Sequence, residues 1–144
     1  MGYASRLEGG IGIVPPLTWG ELRELDPKYL RSRGDNSLVI DVVEEAEDDD
    51  QGTRITRRGV AIVSGHGEDF VRHGCVLAEL DWIVKKTRGR TFTGGLVRWG
   101  ERRNDVERYR VTDRGVPGNA VAISEKAEVV VRWPDGSEDQ APEF

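Results

Sequence analysis

The sequence predicts an α+β fold: a ferredoxin-like βαββαβ core with a C-terminal antiparallel β extension. Three observations predict it. Residues 69–98 form the longest periodic segment and read as a helix, a glycine-marked turn and a strand. Before it lie a strand, a short helix and two further strands. After it come short β segments separated by polar turns. The first six elements therefore run strand, helix, strand, strand, helix, strand, the split βαβ order. At 144 residues the chain fits a single domain. Residues 1–136 are taken as that domain and 137–144 as a loose acidic tail.

The first strand covers residues 3–14. Tyr3, Ser5, Leu7, Gly9, Ile11 and Ile13 share one face, and Arg6 and Glu8 take the other. Pro15 and Pro16 are expected to end it. Thr18 is then an N-cap with Glu21 three residues on, a capping box, and Leu17 and Leu22 form a hydrophobic staple. Asp26-Pro27 breaks this short helix, and Tyr29-Leu30 closes a second turn. A loop over 31–37 leads to the β-branched strand 38–43. The acid run 44–50 is expected to be a solvated loop without the ligand spacing or glycine of an EF-hand. Gln51-Gly52 turns the chain back into a strand over 53–64, which brings Arg54, Arg57 and Arg58 near the acids.

In the central helix, Phe70, Leu77, Leu80 and Val84 fall near one face. Asp69 is the expected N-terminal acid, Gly74 lies mid-helix, and Lys85, Lys86 and Arg88 suit the C-terminal dipole end before Gly89. The strand 91–99 carries Gly94-Gly95, which suggests a bulge or close backbone approach. Residues 101–105 are a polar turn and 106–112 the returning strand. Residues 114–119 are a loop, 120–123 and 127–133 short strands, and 134–136 a turn. The four tryptophans, Trp19, Trp82, Trp99 and Trp133, are expected in or at the edge of the core.

Composition excludes several functions. Net charge is −5, which argues against general nucleic-acid binding. No apolar run is long enough for a membrane span, and the N-terminus has no signal pattern, so a cytoplasmic setting is expected. Cys75 is the only cysteine, so neither an intrachain disulfide nor a Cys-paired zinc motif can form. His66-Gly67-Glu68 matches only the first half of a zinc-deaminase signature. His66, Glu68, His73 and Cys75 lack metal-ligand spacing, and a surface His66, a helix-boundary His73 and a buried Cys75 are expected instead. Cys75 has no implied base, Ser64 is not in a G-x-S-x-G elbow, and no phosphate loop occurs. Gly9, Gly10 and Gly12 sit in a strand rather than a dinucleotide fingerprint. No catalytic residue, metal or cofactor is expected.

Charge is uneven: residues 1–50 are net acidic and 85–114 net basic. The basic segment holds Lys85, Lys86, Arg88, Arg90, Arg98, Arg102, Arg103, Arg108 and Arg110, with Trp99 among them. Arginine beside an aromatic suits an anionic or base-bearing ligand. Arg98, Arg108 and Arg110 are expected on one face of the hairpin. The competing reading is an outer face that is solvated or internally ion-paired.

Two stretches resemble a family of small uncharacterised proteins from actinobacteria and their phages. One is the N-terminal pattern through Gly2, Tyr3, Ser5, Arg6, Ile11, Ile13, Pro15, Pro16, Leu17, Trp19 and Glu21. The other is the hairpin pattern through Phe92, Gly94 or Gly95, Trp99, Gly100, Glu101 and Asp105. The resemblance implies no reaction, but it implies a phage or mobile-element origin and a host-cytoplasm setting. A non-enzymatic interaction protein acting on a host protein is the leading expectation. It requires an exposed apolar patch or sheet edge, which a homodimer would also use. A binder of a nucleotide-like anion is the alternative and requires a pocket with convergent Arg98, Arg102 or Arg108. An enzyme ranks third.

Overall fold

The computed structural model describes residues 4–30, 36–67, 69, 71–102, 105–112, 120–126 and 133–137. Expectations placed on Tyr3, Glu68, Phe70, Arg103, the 114–119 loop, the strand within 127–132 and the tail after Ser137 lie outside them.

The elements are β1 (Ser5–Thr18), α1 (Trp19–Glu24), a 3-10 turn (Pro27–Tyr29), β2 (Leu38–Asp49), β3 (Gly52–Ser64), α2 (Val76–Lys86), β4 (Thr91–Gly100), β5 (Val106–Thr112) and β6 (Val121–Lys126). The strands form one sheet in the order β2-β3-β1-β4-β5-β6, with every neighbouring pair antiparallel. The α+β class stands, as a six-stranded antiparallel sheet with two helices. It is not a clear ferredoxin-like topology. The crossovers β1 to β2 and β3 to β4 each skip one strand, as split βαβ units do. Yet α1 is only six residues long, and two further strands extend the sheet past β4. Helix α2 touches β2 near one end of the strand order and β5 and β6 near the other. The sheet therefore curls around α2 like an open barrel.

The core lies inside that curl. Leu7, Ile11, Ile13 and Leu17 from β1, Leu38 and Ile40 from β2, Ile62 from β3 and Leu96 from β4 meet Val76, Leu80, Ile83 and Val84 of α2. The capping box forms as expected: Thr18 Oγ1 accepts from Glu21 N and the Glu21 carboxylate accepts from Thr18 N. The staple residues Leu17 and Leu22 are both fully buried beside Gly59, where an added Cβ would meet Leu22 at 2.9 Å. The expected close approach at Gly94-Gly95 is also present. Gly10 and Gly95 face each other across β1 and β4; a Cβ on Gly9 (φ +89°) would stand 2.6 Å from the Gly95 carbonyl oxygen, and one on Gly94 (φ +88°) 2.8 Å from that of Gly10.

Four local expectations are corrected. β1 does not stop at the prolines. It continues to Thr18, with a register jump against β3 between Gly12 and Leu17 that places Pro15 and Pro16 where no partner N–H is needed. The acid run is not a loop. Residues through Asp49 pair with β3, placing Glu44 opposite Arg57 and Glu47 opposite Arg54, so cross-strand charge supports an acidic strand. The central helix begins at Val76 rather than Asp69. Tertiary bonds hold the preceding residues out of helix: Val71 bridges Ser5, and Gly74 N donates to Ser37 Oγ at 2.9 Å. Trp19 is 40% exposed, whereas Trp99 and Trp133 are buried and Trp82 packs beside Tyr29.

Candidate functional site

The basic hairpin is the first place to look, because it carries the sequence-predicted binding residues. Directly paired residues share a sheet face. Arg98 lies opposite Leu7 and Glu107, on the inner face, whereas Arg108 lies opposite Val97 and Glu125, on the outer face with Arg110. The expectation that all three share a face is thus overturned by register: their positions have opposite parity across the β4–β5 pair.

Arg90, Arg98, Arg108 and Arg110 each already meet a carboxylate. Arg98 forks onto Asp105 through two bonds of 2.9 and 3.2 Å and reaches Glu107 at 3.3 Å. Its side chain is only 14% exposed. Burial opposes its charge, but the bonds to Asp105 and Tyr109 hold the guanidinium above its ordinary pKa. Burial also opposes the Glu107 charge, and the Tyr109 hydroxyl (2.6 Å) with Arg98 and Lys126 still pulls its pKa down. Tyr109 itself is pushed up, chiefly by burial and by donating to Glu107. On the outer face Arg108 donates to Glu125 and Asp135, and its guanidinium stacks 4.7 Å over the buried Trp133. Arg110 donates to Glu125 at 2.6 Å. Burial opposes the Glu125 charge, yet Arg110 and Arg108 hold its carboxyl below the usual range. Arg90 pairs with Glu21. Trp99 is buried, with Nε1 donating to Glu8 at 3.2 Å, so it offers no free stacking face. Arg102 is exposed. An incoming anion at Arg98 or Arg108 would have to displace carboxylates already in place.

A second polar cluster was not legible in the sequence. Ser5 Oγ and His73 Nδ1 lie 2.7 Å apart, and the His66 ring meets the His73 ring edge-on at 5.9 Å between centroids. Burial lowers the His73 pKa, and the His66 and Arg98 charges lower it further. His73 Nε2 is buried without a partner among the described residues. No acid orients this histidine there, and Ser5 is 3% exposed, so the pair ties β1 to the segment before α2 rather than presenting a nucleophile. Cys75 is exposed, not buried as expected. Among the described residues no three metal-ligating side chains gather.

The open surface is elsewhere. Beyond the pair Val43–Arg58, where β1 makes its last pair with β3, β2 and β3 run on as a two-stranded arm to the pair Asp49–Gly52. At about 3.3 Å per residue the arm projects roughly 20 Å. The exposed large hydrophobics among the described residues are Val14 on β1, Trp19 at the start of α1, and Val43 and Ile55 on opposite faces of the arm; of these, Trp19 and Ile55 line one groove with Pro15 and Pro16. The Arg57 guanidinium bonds Glu44 at 2.6 Å and stacks 5.0 Å over Trp19. Two grooves flank this stack. One, of about 800 Å³, runs between Pro15–Pro16 and residues 54–58. The other, of about 760 Å³, lies between the arm and the Pro27 turn.

These features define an α+β protein with a curled antiparallel sheet, a closed ionic hairpin on one side and a projecting ribbon with an apolar base on the other. The chain belongs to DUF6205, a family of unknown function whose model matches residues 1–142. No curated protein and no solved structure matches it. Among the described residues no helix is long and apolar enough to cross a membrane.

Proposed function

We propose that the protein is a non-enzymatic interaction protein whose contact surface is the base of the β2–β3 arm. The observation that carries this is the meeting of Trp19 and Ile55 with Pro15 and Pro16 in the groove beside the arm, with Ile55 57% and Trp19 40% exposed. Apolar side chains gathered beside a groove and rimmed by charge mark contact surfaces. The partner is a protein of the cell in which the chain acts. The resemblance to actinobacterial and phage proteins makes a host component in the cytoplasm the expected one. Binding of a nucleotide-like anion at the arginine hairpin draws less support, since Arg98, Arg108 and Arg110 meet carboxylates of their own fold.

The test compares two variants as affinity baits in host lysate: Trp19→Ser with Ile55→Ser, and Arg108→Ala. The proposal expects the first to lose the proteins captured by the unaltered chain and the second to keep them. Loss with Arg108→Ala and retention with the arm variant would move the contact surface to the hairpin.

A further inference from the structure

The end of β1 opposite the arm is covered by something weaker than a strand. β3 pairs with β1 from Gly10 onward, so on that side the start of β1 meets the stretch 71–75 that leads into α2. A single isolated bridge joins the two. Ser5 N donates to the Val71 oxygen at 2.9 Å, and Val71 N donates to the Ser5 oxygen at 3.0 Å. Beside the bridge stands the Ser5–His73 bond, 2.7 Å between Oγ and Nδ1. Further on, Gly74 N donates to Ser37 Oγ ahead of β2. Cover held by so few bonds opens at less cost than the sheet it lies on.

The groups around His73 make its charged form a poor fit. From β1 it meets the Ser5 hydroxyl. Ser5 lies opposite Gly100 and Leu7 opposite Arg98, so Ser5 and Arg98 share the inner face, and the Arg98 charge reaches the ring. After β3, His66 meets the ring edge-on. The carboxylates nearby are turned elsewhere. Asp105 and Glu107 hold Arg98, Glu101 accepts from Ala4 N, Glu79 of α2 accepts from Ser37 N and Leu38 N, and Asp69 is exposed. On the stretch itself Arg72 and Cys75 are exposed. Among the described residues no carboxylate bonds either imidazole. A neutral ring satisfies Ser5 through Nδ1 and can leave Nε2 without a proton. An imidazolium must carry a proton on Nε2, which is buried and has no partner.

We infer that the stretch 71–75 is an acid-released strap: proton uptake by His73 detaches it from β1 and bares the backbone edge of β1 at Ser5, while the sheet and α2 stay folded. The sign follows from burial and the two neighbouring cations, which lower the His73 pKa in the closed form. In the released form the ring is in water and takes up its proton at the ordinary 6.5. The closed strap is therefore fully favoured above that value, and falling pH draws the equilibrium toward release. A bared strand edge is a pairing site, so release offers a contact surface in acidic surroundings, independent of the arm.

The test is residue-resolved amide exchange of the full chain at about pH 7.5 and about pH 5, each rate referred to the intrinsic rate at that pH. Protection of the Ser5 and Val71 amides should fall roughly tenfold or more between the two. At both values it should stay at least roughly tenfold below that of Leu80 and Leu96, which marks local release rather than global unfolding. His73→Gln should remove the fall, since an amide bonds Ser5 without taking a charge. In the unaltered protein the His73 ring and the Val71 amide should titrate together by NMR, with a midpoint below 6.5. Val71 protection that does not change with pH, a fall that persists in His73→Gln, protection of Val71 equal to that of Leu80 and Leu96, or a His73 titration that leaves the Val71 amide unmoved would each overturn the inference.

Discussion

Arg98 and Arg58 are the same side chain on strands of one sheet, and they are in opposite states. Arg98 is 14% exposed and held by Asp105 and Glu107. Arg58 is exposed at the base of the arm, across from Thr18 and Val43, with no ion pair among the described residues. The difference follows from what the neighbouring strand supplies. β5 and β6 place Glu107 and Glu125 opposite or beside the arginines of the hairpin. β1 ends at Thr18, so beyond it β3 has a strand on one side only. An arginine-rich segment therefore says little about ligands until its register is known. The hairpin with more arginines is the closed one, and the arm with fewer is the open one.

The comparison breaks first at Arg98. Arg98→Ala takes the guanidinium away from Asp105 and Glu107 in a half-buried setting and should lower stability by about 2–3 kcal/mol in urea denaturation, the range for losing bonds to charged groups. A change under about 0.5 kcal/mol would mean that the inner network is solvated and that the two sides do not differ.

Glu125 sharpens the same contrast through pH. Its folded-state pKa lies below the ordinary glutamate value of 4.5, as does that of Glu107. A depressed carboxyl stabilises the fold above the unfolded pKa, and that contribution fades as pH falls below it. Acid denaturation should therefore steepen below 4.5. Glu125→Gln should lower stability near neutral pH by about 1–2 kcal/mol and flatten the acid limb. An unchanged limb would remove Glu125 from the network.

His73 gives a smaller effect in a different window. Its folded pKa is lowered, so the unfolded chain takes up a proton at the ordinary 6.5 before the folded protein does. Stability should decline as pH drops through 6.5, and His73→Gln should remove that slope, read as the urea midpoint between about pH 7.5 and about pH 5. The smallest effect belongs to the arm. Arg54→Ala with Arg58→Ala should change stability by no more than about 0.5 kcal/mol, because both side chains are exposed, neither makes an ion pair among the described residues, and Arg54 meets Glu47 only across an exposed strand pair. A larger loss would show that these arginines hold the arm together and are not free for a partner.

Some of this was legible in residue pattern. The capping box at Thr18 and Glu21, the staple at Leu17 and Leu22 and the bounds of β5 are local signals, and local signals survive folding. The close approach of Gly94-Gly95 to Gly9-Gly10 was half legible: the glycines pointed to close approach but not to its partner. What failed depended on tertiary pairing. Residues 69–75 carry helical periodicity, yet Val71 and Gly74 bond to Ser5 and Ser37 instead. The acid run reads as solvated, but facing Arg54 and Arg57 lets it stay in strand. The face of Arg98 was set by register against β5, which composition does not encode. The arm's open edge had one readable signal, the capping box at Thr18, which turns β1 into α1 and leaves β3 without that neighbour beyond Arg58.

The measurement that tests the contrast most directly is amide hydrogen exchange of the free protein, resolved by residue. The account predicts slow exchange through β4 and β5 and fast exchange at the alternate amides of residues 53–57 that face away from β2. Uniformly slow exchange across residues 53–57 would contradict it, because the edge of β3 would then already be covered.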